Sequence, residues 1–364
     1  MDRQTQTTNL VKNSKNNKND SKKRKIFAIF ISILIISLLC AFYNLINPAI
    51  IGWLENEFSI VSVNNNLLVH FICVGQGDAV AVNFPNWKLA LIDAGPTVKT
   101  GDYLAYLNER VVNTKRNKTI DYYILTHADA DHIGGALRVI KNYNVENLYM
   151  PKVETDSQTY MNLKTYVDEN KINVKQYEAT IVLEGNCEFE IFELLDYLDA
   201  NNSCPLIKLT YNNKSFLFTG DLESKAEKDY VEKYGNKLDC DVLKVGHHGS
   251  KYSTCDEFLA VSTPEYAVIS SGNMYGHPNE ETIERLNNVH ANIVRTDTVG
   301  SVMFVLGKDY NLDMLTGDYI ISGFIFDYRI IILVIDGLLI INMIIVFVKK
   351  DKKHKHIEVQ VEYI

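Results

Sequence analysis

The sequence THADADHIGG, from Thr126 to Gly135, brings four potential metal-binding side chains within six positions. They are His127, Asp129, Asp131 and His132, and they directly follow the apolar run YYILT. Imidazole and carboxylate groups are common ligands of divalent first-row metals. The first three alternate and so share one side of an extended segment, after which His132 begins a helix. The stretch predicts a metal-binding loop between a strand and a helix. The simpler alternative is a solvated acidic turn in which an aspartate caps the helix.

Three other apolar runs also end at acidic or imidazole side chains. KLALIDAG ends at Asp93, SFLFTGD ends at Asp221, and VLKVGHHGS ends at His247 and His248. Runs of this length and composition, bounded by Gly, Asn and Asp, indicate buried strands. Their C-terminal ends can therefore meet at one site. There Asp221 is suited to bridge two metals, because its carboxylate can offer one oxygen to each.

The remaining pattern predicts one domain in which strands and helices alternate. Strands are predicted at 67–74, 79–84, 88–93, 146–150, 187–194, 205–211, 215–219 and 241–245, with two further strands closing the domain. Helices are predicted near 101–112, 133–142, 157–169, 222–234 and 279–288. Asn212-Asn213 is typical of a hairpin turn. Two similar strand-rich halves that end in helices favour two packed sheets covered by helices.

The order and spacing of these motifs resemble the hydrolase domain of ComEC-type DNA-uptake competence proteins. The matching stretches are VGQGDAV (74–80), LIDAG, THADADHIGG, FTGDLE, KVGHHGSK, YGHP (275–278) and RTD (295–297). THADADH itself resembles the HxHxDH signature of the metallo-β-lactamase fold, with Asp129 at the second histidine position. The resemblance implies an α/β protein with the four-layer αββα metallo-β-lactamase fold. It also implies a metal-dependent hydrolase, with nuclease activity as the proposed role of the family.

Two positions depart from the family pattern. Cys73 stands where an acidic residue usually precedes VGQGD, and the segment Asn201-Asn202-Ser203-Cys204 lacks the histidine of members with a full dinuclear site. Either one metal is held less tightly, or Cys204 lends a thiolate. The alternative for Cys204 is a small buried side chain with no ligand role.

The ligand types lead to a two-metal hypothesis with zinc or manganese as the ions. One ion would be bound by His127 and Asp129, with or without a group near 202–204. The other ion would be bound by Asp131, His132 and one histidine of the 247–248 pair. Asp221 would lie between the two ions. We assign His247 to the metal, and Asp131, His248 and His277 to catalysis, although sequence cannot order the two adjacent histidines. Two ions can clamp the attacking and leaving oxygens of an in-line displacement, with a bridging water as nucleophile.

Four other roles near the predicted site follow from the sequence. His277 either protonates the leaving group or caps the helix that follows it. Gln76 and Asp78 either contact the substrate or brace the metal loop, and bracing is the prediction for them and for Asp93.

Both ends of the chain suggest a membrane anchor. Residues 26–46 form a charge-free apolar run of transmembrane length, and residues 330–348 form a second run, interrupted by Asp336. Residues 1–25 are predicted as a disordered basic cytoplasmic tail and 349–364 as a basic cytoplasmic tail, which puts the hydrolase domain, 55–318, outside the cytoplasm. The alternatives are a cleaved signal peptide for the first run and, for the second, a segment lying flat or packed on the domain.

The charge of the domain argues against long nucleic acid as the substrate. Residues 55–318 carry 38 Asp and Glu against 23 Lys and Arg, whereas proteins that hold DNA by its backbone usually show a basic stripe. A nuclease would need Lys244, Lys251, Arg285 and Arg295 to line one groove. The six cysteines of the chain show no CxxC spacing, so neither a zinc finger nor a disulfide framework is predicted.

Three functions remain open at this stage. The first is a membrane-tethered phosphodiesterase or nuclease, whose phosphodiester substrates include DNA. The second is a hydrolase of a small phosphoester or another ester, such as a choline-phosphate or a lactone, because the fold supports many chemistries. The third is a non-enzymatic partner of a DNA-uptake or export system. Two spans cannot form a channel, so DNA transport would need a separate channel subunit.

Overall fold

The computed structural model describes most of the predicted domain. It covers residues 60–62, 66–112, 116–177, 180–184, 186–272, 274–307, 311–316 and 320–322, together with residue 31. Ser59–Ile325 forms one compact unit. The predicted spans at 26–46 and 330–348 and the two predicted tails lie outside the described residues. Among the residues that are described, no helix combines the length and apolar character needed to cross a bilayer.

The first sheet has eight strands. In chain order they are β2 (Leu67–Phe71), β3 (Val80–Asn83), β4 (Leu89–Ile92), β5 (Thr119–Ile124), β6 (Asn144–Tyr149), β7 (Val174–Lys175), β15 (Val302–Leu306) and β16 (Leu312–Thr316). They lie in the order β16-β15-β2-β3-β4-β5-β6-β7. The pairs from β4 to β7 are parallel, and the others are antiparallel.

The second sheet has seven strands. They are β8 (Thr180–Glu184), β9 (Cys187–Ile191), β10 (Ile207–Tyr211), β11 (Lys214–Phe218), β12 (Val242–Lys244), β13 (Tyr266–Ile269) and β14 (Asn292–Arg295). Their order is β14-β13-β12-β11-β10-β9-β8, with parallel pairs from β11 to β14. A separate parallel pair joins β1 (Ile60–Ser62) to β17 (Ile320–Ser322).

Helices cover the outer face of each sheet. They are α1 (Thr100–Tyr106), α2 (Ala130–Ile133), α3 (Ala136–Asn142), α4 (Gln158–Glu169), α5 (Ser224–Tyr234), α6 (Asp256–Ser262), α7 (Glu280–Asn288) and α8 (Thr296–Val299). Apolar side chains of α1, α3 and α4 share a buried cluster with the outer face of the first sheet. Side chains of α5, α6 and α7 do the same on the second sheet. The predicted α/β architecture with two sheets is confirmed.

The strands alternate their side chains between two cores, as period-2 geometry requires. In β11, Phe216 and Phe218 point into the cluster between the sheets, whereas Leu217 lies in the outer cluster under the helices. Phe304 of β15 packs edge-on against Phe216 from the opposite sheet, with ring centroids 5.8 Å apart. Contacts of this kind bury apolar surface on both faces of each sheet, which explains why these strands read as continuous apolar runs.

The strand directions place the predicted ligands on one edge of the sandwich. β2, β4 and β5 of the first sheet run the same way, and the loops after them carry Asp78, Asp93 and the 127–132 segment. β11 and β12 of the second sheet are parallel and are followed by Asp221 and the 247–248 pair. Ligand sites of open α/β sheets lie beyond the carboxyl ends of parallel strands.

Candidate metal centre

His132 is fixed by a buried carboxylate. Its Nδ1 lies 2.8 Å from Oδ2 of Asp93, and the other oxygen of Asp93 accepts the backbone N–H of Thr126 at 2.8 Å. Because a carboxylate only accepts, the Nδ1 of His132 carries the proton, and its Nε2 is left as a ligand atom. The predicted bracing role of Asp93 agrees with these contacts.

His248 is oriented in the same way by a different acceptor. Its Nδ1 donates to the backbone carbonyl of Ser270 at 2.8 Å, so its Nε2 is also unprotonated in the neutral ring. The two Nε2 atoms of His132 and His248 lie 3.3 Å apart. Two nitrogen lone pairs repel at this distance unless a cation lies between them, so the pair fits a metal ion.

Two carboxylates complete this group. Oδ2 of Asp131 lies 3.3 Å from Nε2 of His248, and Oδ1 of Asp221 lies 3.3 Å from Nε2 of His132. Asp78, His132, Asp221 and His248 each offer an atom within 4.8 Å of the others. Since the protonated Nδ1 atoms of both imidazoles face Asp78, we expect Asp131 rather than Asp78 to complete the ligand set.

A second group of ligands lies beside the first. Nε2 of His127 is 3.5 Å from Oδ2 of Asp129 and 4.0 Å from Oδ2 of Asp221. Within the described part of the chain, Nε2 of His127 and Oδ1 of Asp221 are buried atoms with no hydrogen-bond partner. Buried polar atoms without a partner need an explanation, and bound cations would supply it at both atoms. Asp221 lies between the two groups.

Cys204 supports His127 from behind. Its Sγ lies 3.4 Å from Nδ1 of His127 and accepts the backbone N–H of Asp221 at 3.4 Å. Burial raises the pKa of this thiol well above its usual value, and the nearby Asp221 carboxylate adds to the rise. A neutral thiol on the Nδ1 side fits a small buried side chain with no ligand role better than a thiolate ligand. Asn202 is likewise occupied in the loop, bonding to Asp199 and Glu223.

His247 and His248 point in different directions because both have left-handed backbone conformations, with φ of 45° and 54°. Such conformations cost roughly 1–3 kcal/mol for a residue other than glycine and often mark functional sites. His248 is buried, whereas the side chain of His247 is 24% exposed, with its Nε2 3.6 Å from Asp221 and its Nδ1 3.5 Å from Glu223. The geometry favours the reverse of our sequence-based assignment of the two histidines.

His277 lies at the mouth of this site. Its ring meets the ring of His247 edge-on, with centroids 5.5 Å apart, and its Nδ1 has no hydrogen-bond partner among the described residues. Burial lowers its pKa, and the neighbouring His247 and His248 lower it further. The side chain therefore faces the site as a mainly neutral imidazole.

The field at this edge favours cations. Burial would lower the pKa of His132, yet the carboxylates of Asp221 and Asp93 hold that pKa well above the usual value. The same balance, with Asp221 and Asp131 as the main partners, raises the pKa of His248 to about 9. Burial would raise the pKa of Asp221, but His248 and His132 hold it well below its usual range. Ligands that attract protons this strongly also attract metal ions, which release those protons on binding.

The glycines of the first motif serve packing. A Cβ on Gly134 would lie 2.3 Å from the backbone nitrogen of Thr97, and one on Gly135 would lie 2.5 Å from the carbonyl oxygen of Ala94. At Gly134-Gly135 the backbone therefore lies close to the loop after β4. This contact fixes the metal loop against the loop that carries Asp93.

The four basic residues of the nuclease hypothesis do not line a groove. Lys244 is buried beside Asp78, and Arg285 donates to the carbonyls of Lys251, Ser253 and Thr254. Arg295 forms a two-point contact with Asp297. These guanidinium groups are already bonded because each stabilises a loop.

Asp78 and Lys244 are the site residues whose roles the sequence did not resolve. The ammonium of Lys244 lies 2.5 Å from Oδ2 of Asp78, and both side chains are buried. The only sequence signal was position: Asp78 ends a tight glycine turn, and Lys244 ends a buried strand beside the histidine pair.

The loop with the two histidines is held by Glu227 of α5. Its carboxylate accepts the backbone N–H groups of Thr254 and Cys255 at 2.6 and 2.9 Å, just before α6. Burial raises the pKa of Glu227 to about 7, against the opposing effect of these two hydrogen bonds.

We expect this carboxylate to make the fold less stable as pH rises. Its pKa is higher in the folded than in the unfolded chain, so its contribution is fully present below pH 4.5 and is lost as pH rises through 7. Over this pH range the free energy of unfolding falls by on the order of 3 kcal/mol. Urea unfolding at pH 5 and pH 8 should show a smaller pH difference for Glu227→Gln than for the wild type. Glu257→Gln, an exposed control on α6, should keep the wild-type difference, and equal behaviour of all three proteins would contradict the expectation.

Comparison with known proteins gives one family and several relatives. Residues 74–272 match the model of the metallo-beta-lactamase superfamily. The chain is 32% identical over 253 residues to ComE operon protein 3 of Bacillus subtilis, covering 65% of this chain and 32% of that protein. It is 32% identical over 240 residues to competence protein ComA of Neisseria gonorrhoeae, covering 64% of this chain and 31% of that protein. The chain thus spans about a third of the length of these relatives, and the resemblance drawn from the motifs is confirmed.

Among solved structures, similarity extends to the metallo-beta-lactamase fold protein YhfI from Bacillus subtilis. That match has a TM-score of 0.44 and 12% sequence identity, and it covers 70% of this chain and all of the other.

Proposed function

Because the chain belongs to the metallo-beta-lactamase superfamily, we propose that it is a metal-dependent phosphodiesterase. The observation that carries this proposal is the 3.3 Å approach of Nε2 of His132 to Nε2 of His248, with the Nδ1 atom of each ring turned to an acceptor. The carboxylates of Asp131 and Asp221 lie at the same distance from them. A divalent ion bound by these side chains would explain why they lie so close together.

The side chains divide into two ligand groups that share Asp221. His132, His248 and Asp131 would hold one ion, and His127 and Asp129 would hold the other. We propose zinc or manganese, since three carboxylates and three imidazoles suit both. When bound, two such ions lower the pKa of water and neutralise charge on phosphoryl oxygens.

The residues at the mouth would handle substrate and protons. His247 is partly exposed and lies next to the bridging carboxylate, where it can contact a phosphoryl oxygen. His277 faces His247 with a free Nδ1, from which a proton can pass to the leaving oxygen. Its lowered pKa makes the protonated form a stronger acid, although a smaller fraction is protonated at neutral pH.

DNA is the substrate that the relatives suggest. The name of the Neisseria relative records competence, and a third relative, 30% identical over 231 residues, is recombination protein 2 of Haemophilus influenzae. The acidic composition of the domain, and the absence of a groove lined by the four basic residues named above, favour a small phosphodiester instead. We therefore propose phosphodiester hydrolysis as the reaction. The assay below tests whether the substrate is DNA or a small phosphodiester.

The experiment is an assay of the full-length chain purified in detergent without chelator. With added Mn²⁺ or Zn²⁺ we expect hydrolysis of bis-p-nitrophenyl phosphate, and cleavage of single-stranded DNA if the nuclease hypothesis holds. Asp131→Asn, which removes a ligand charge, should be inactive in the same preparation. Metal-replete wild-type protein that cleaves neither substrate would refute phosphodiesterase activity.

We also propose that the domain is anchored by spans at 26–46 and 330–348 and faces away from the cytoplasm. The support is the apolar length of both runs and the basic clusters on their terminal sides. Protease added to intact cells should digest the domain. Complete protection would reverse the orientation. A separate channel subunit would be needed for any role in DNA transport.

A further inference from the structure

A buried ammonium lies directly behind the candidate metal centre. Lys244, at the end of β12, is 1% exposed. Its Nζ lies 2.5 Å from Oδ2 of Asp78 and 3.8 Å from Oδ1 of Asp221, and it donates to the carbonyl of Gly220 at 3.0 Å. Burying a charge is costly unless it is paired, and a cation beside a ligand of cations is unfavourable without a compensating charge. Lys244 therefore acts on the centre itself.

Asp78 supplies that compensating charge from the far side of the imidazoles. Its oxygens lie 3.5 Å from Nδ1 of His248 and 3.9 Å from Nδ1 of His132. Those Nδ1 atoms point away from the paired Nε2 atoms. The Asp78–Lys244 pair thus lies behind the two ligand histidines, where it is close enough to influence bound ions without contacting them.

The charges around the centre balance in a specific way. Five aspartates surround the two ligand groups: Asp78, Asp93, Asp129, Asp131 and Asp221. Among the described residues, Lys244 is the one ammonium that contacts these aspartates. With neutral imidazoles, this set has four formal negative charges, which two divalent cations neutralise. Without the ammonium, one negative charge would remain uncompensated in a dry site.

We propose that Lys244, paired with Asp78, sets the charge of the metal centre. The proposal rests on the proposed metal centre. It differs from a purely architectural role, in which the ion pair only fills space between β12 and the turn before β3. The two roles predict different responses of metal affinity when the two charges are removed singly and together.

The test measures Mn²⁺ binding to the full-length chain by calorimetry and by electron paramagnetic resonance, with thermal unfolding as the check on folding. Asp78→Asn leaves the ammonium uncompensated and should weaken Mn²⁺ binding about tenfold or more. Lys244→Met should bind Mn²⁺ more tightly than the wild type, because it removes a positive charge 3.8 Å from Oδ1 of Asp221. The double variant, which removes both charges, should return to within about threefold of the wild-type affinity.

A matched control separates local charge from general damage. Asp121→Asn also removes a buried carboxylate paired with a cation, Arg116, but near the start of β5. It should lower the unfolding temperature without changing Mn²⁺ affinity. Unchanged or weaker Mn²⁺ binding in Lys244→Met would overturn the proposal, and this variant decides the question even if Asp78→Asn does not fold. A wild-type chain that binds no Mn²⁺ or Zn²⁺ would instead refute the metal centre.

Discussion

Replacing Asp221 with asparagine should lower kcat/KM for a phosphodiester by about a thousandfold or more, equivalent to roughly 4 kcal/mol of transition-state stabilisation. Among the residues that the structure describes, Asp221 is the side chain whose oxygens face both ligand groups. An amide would present N–H donors to one of them and would remove a full negative charge from the centre. We therefore expect loss of bound metal together with loss of turnover.

The measurement combines metal content by mass spectrometry with steady-state hydrolysis of bis-p-nitrophenyl phosphate. Asp241→Asn is the matched control, because Asp241 also borders the second sheet but directly precedes β12, where it is paired with Lys214. It should retain activity within about twofold of the wild type. An Asp221→Asn protein with full metal content and full activity would remove Asp221 from the centre.

The adjacent histidines should differ sharply when each is replaced by asparagine, a residue that tolerates left-handed backbone. His248→Asn removes a buried Nε2 that faces His132, so we expect loss of metal and a fall in activity of about a thousandfold. His247→Asn changes a partly exposed side chain, so it should keep its metal and lose about ten- to a hundredfold in kcat.

Metal content measured on both variants distinguishes the two assignments. If His247→Asn loses its metal and His248→Asn keeps it, the roles that we assigned from sequence are correct and the geometric assignment fails. Equal loss in both would indicate that the loop, held by Glu227 and Arg285, collapses as a unit. Circular dichroism of the two proteins would show that collapse.

The sequence predicted most of the framework, because apolar runs that end in polar loops are local signals. The strands from β2 to β5 and from β9 to β12 lie close to their predicted positions, and the Asn212-Asn213 turn joins β10 to β11. The predicted helix at 133–142 is divided, because Gly134 and Gly135 pack against a neighbouring loop. Helix α6 and strand β13 were not predicted, since seven and four residues are too short to show a period.

The directions in which the side chains of the site point could not be predicted from the sequence. Which of two adjacent histidines turns inward depends on backbone angles at both, and nothing in GHHGS specifies a left-handed pair. The nuclease hypothesis required Lys244 to face a groove, yet β12 lies between β11 and β13, so a residue at its end remains enclosed. The pairing of Lys244 with Asp78 joins positions 166 residues apart, and such contacts emerge only from the complete topology.

The distribution of the ligands along the chain has a consequence for the order of events during folding. One set lies in residues 127–132 and the other in residues 221–248, on different sheets. Neither half of the chain can form the pair of facing imidazoles alone, and contacts between distant segments form late because closing long loops is slow. We therefore expect metal binding at the proposed centre to be a late event, which requires that the two sheets have already docked.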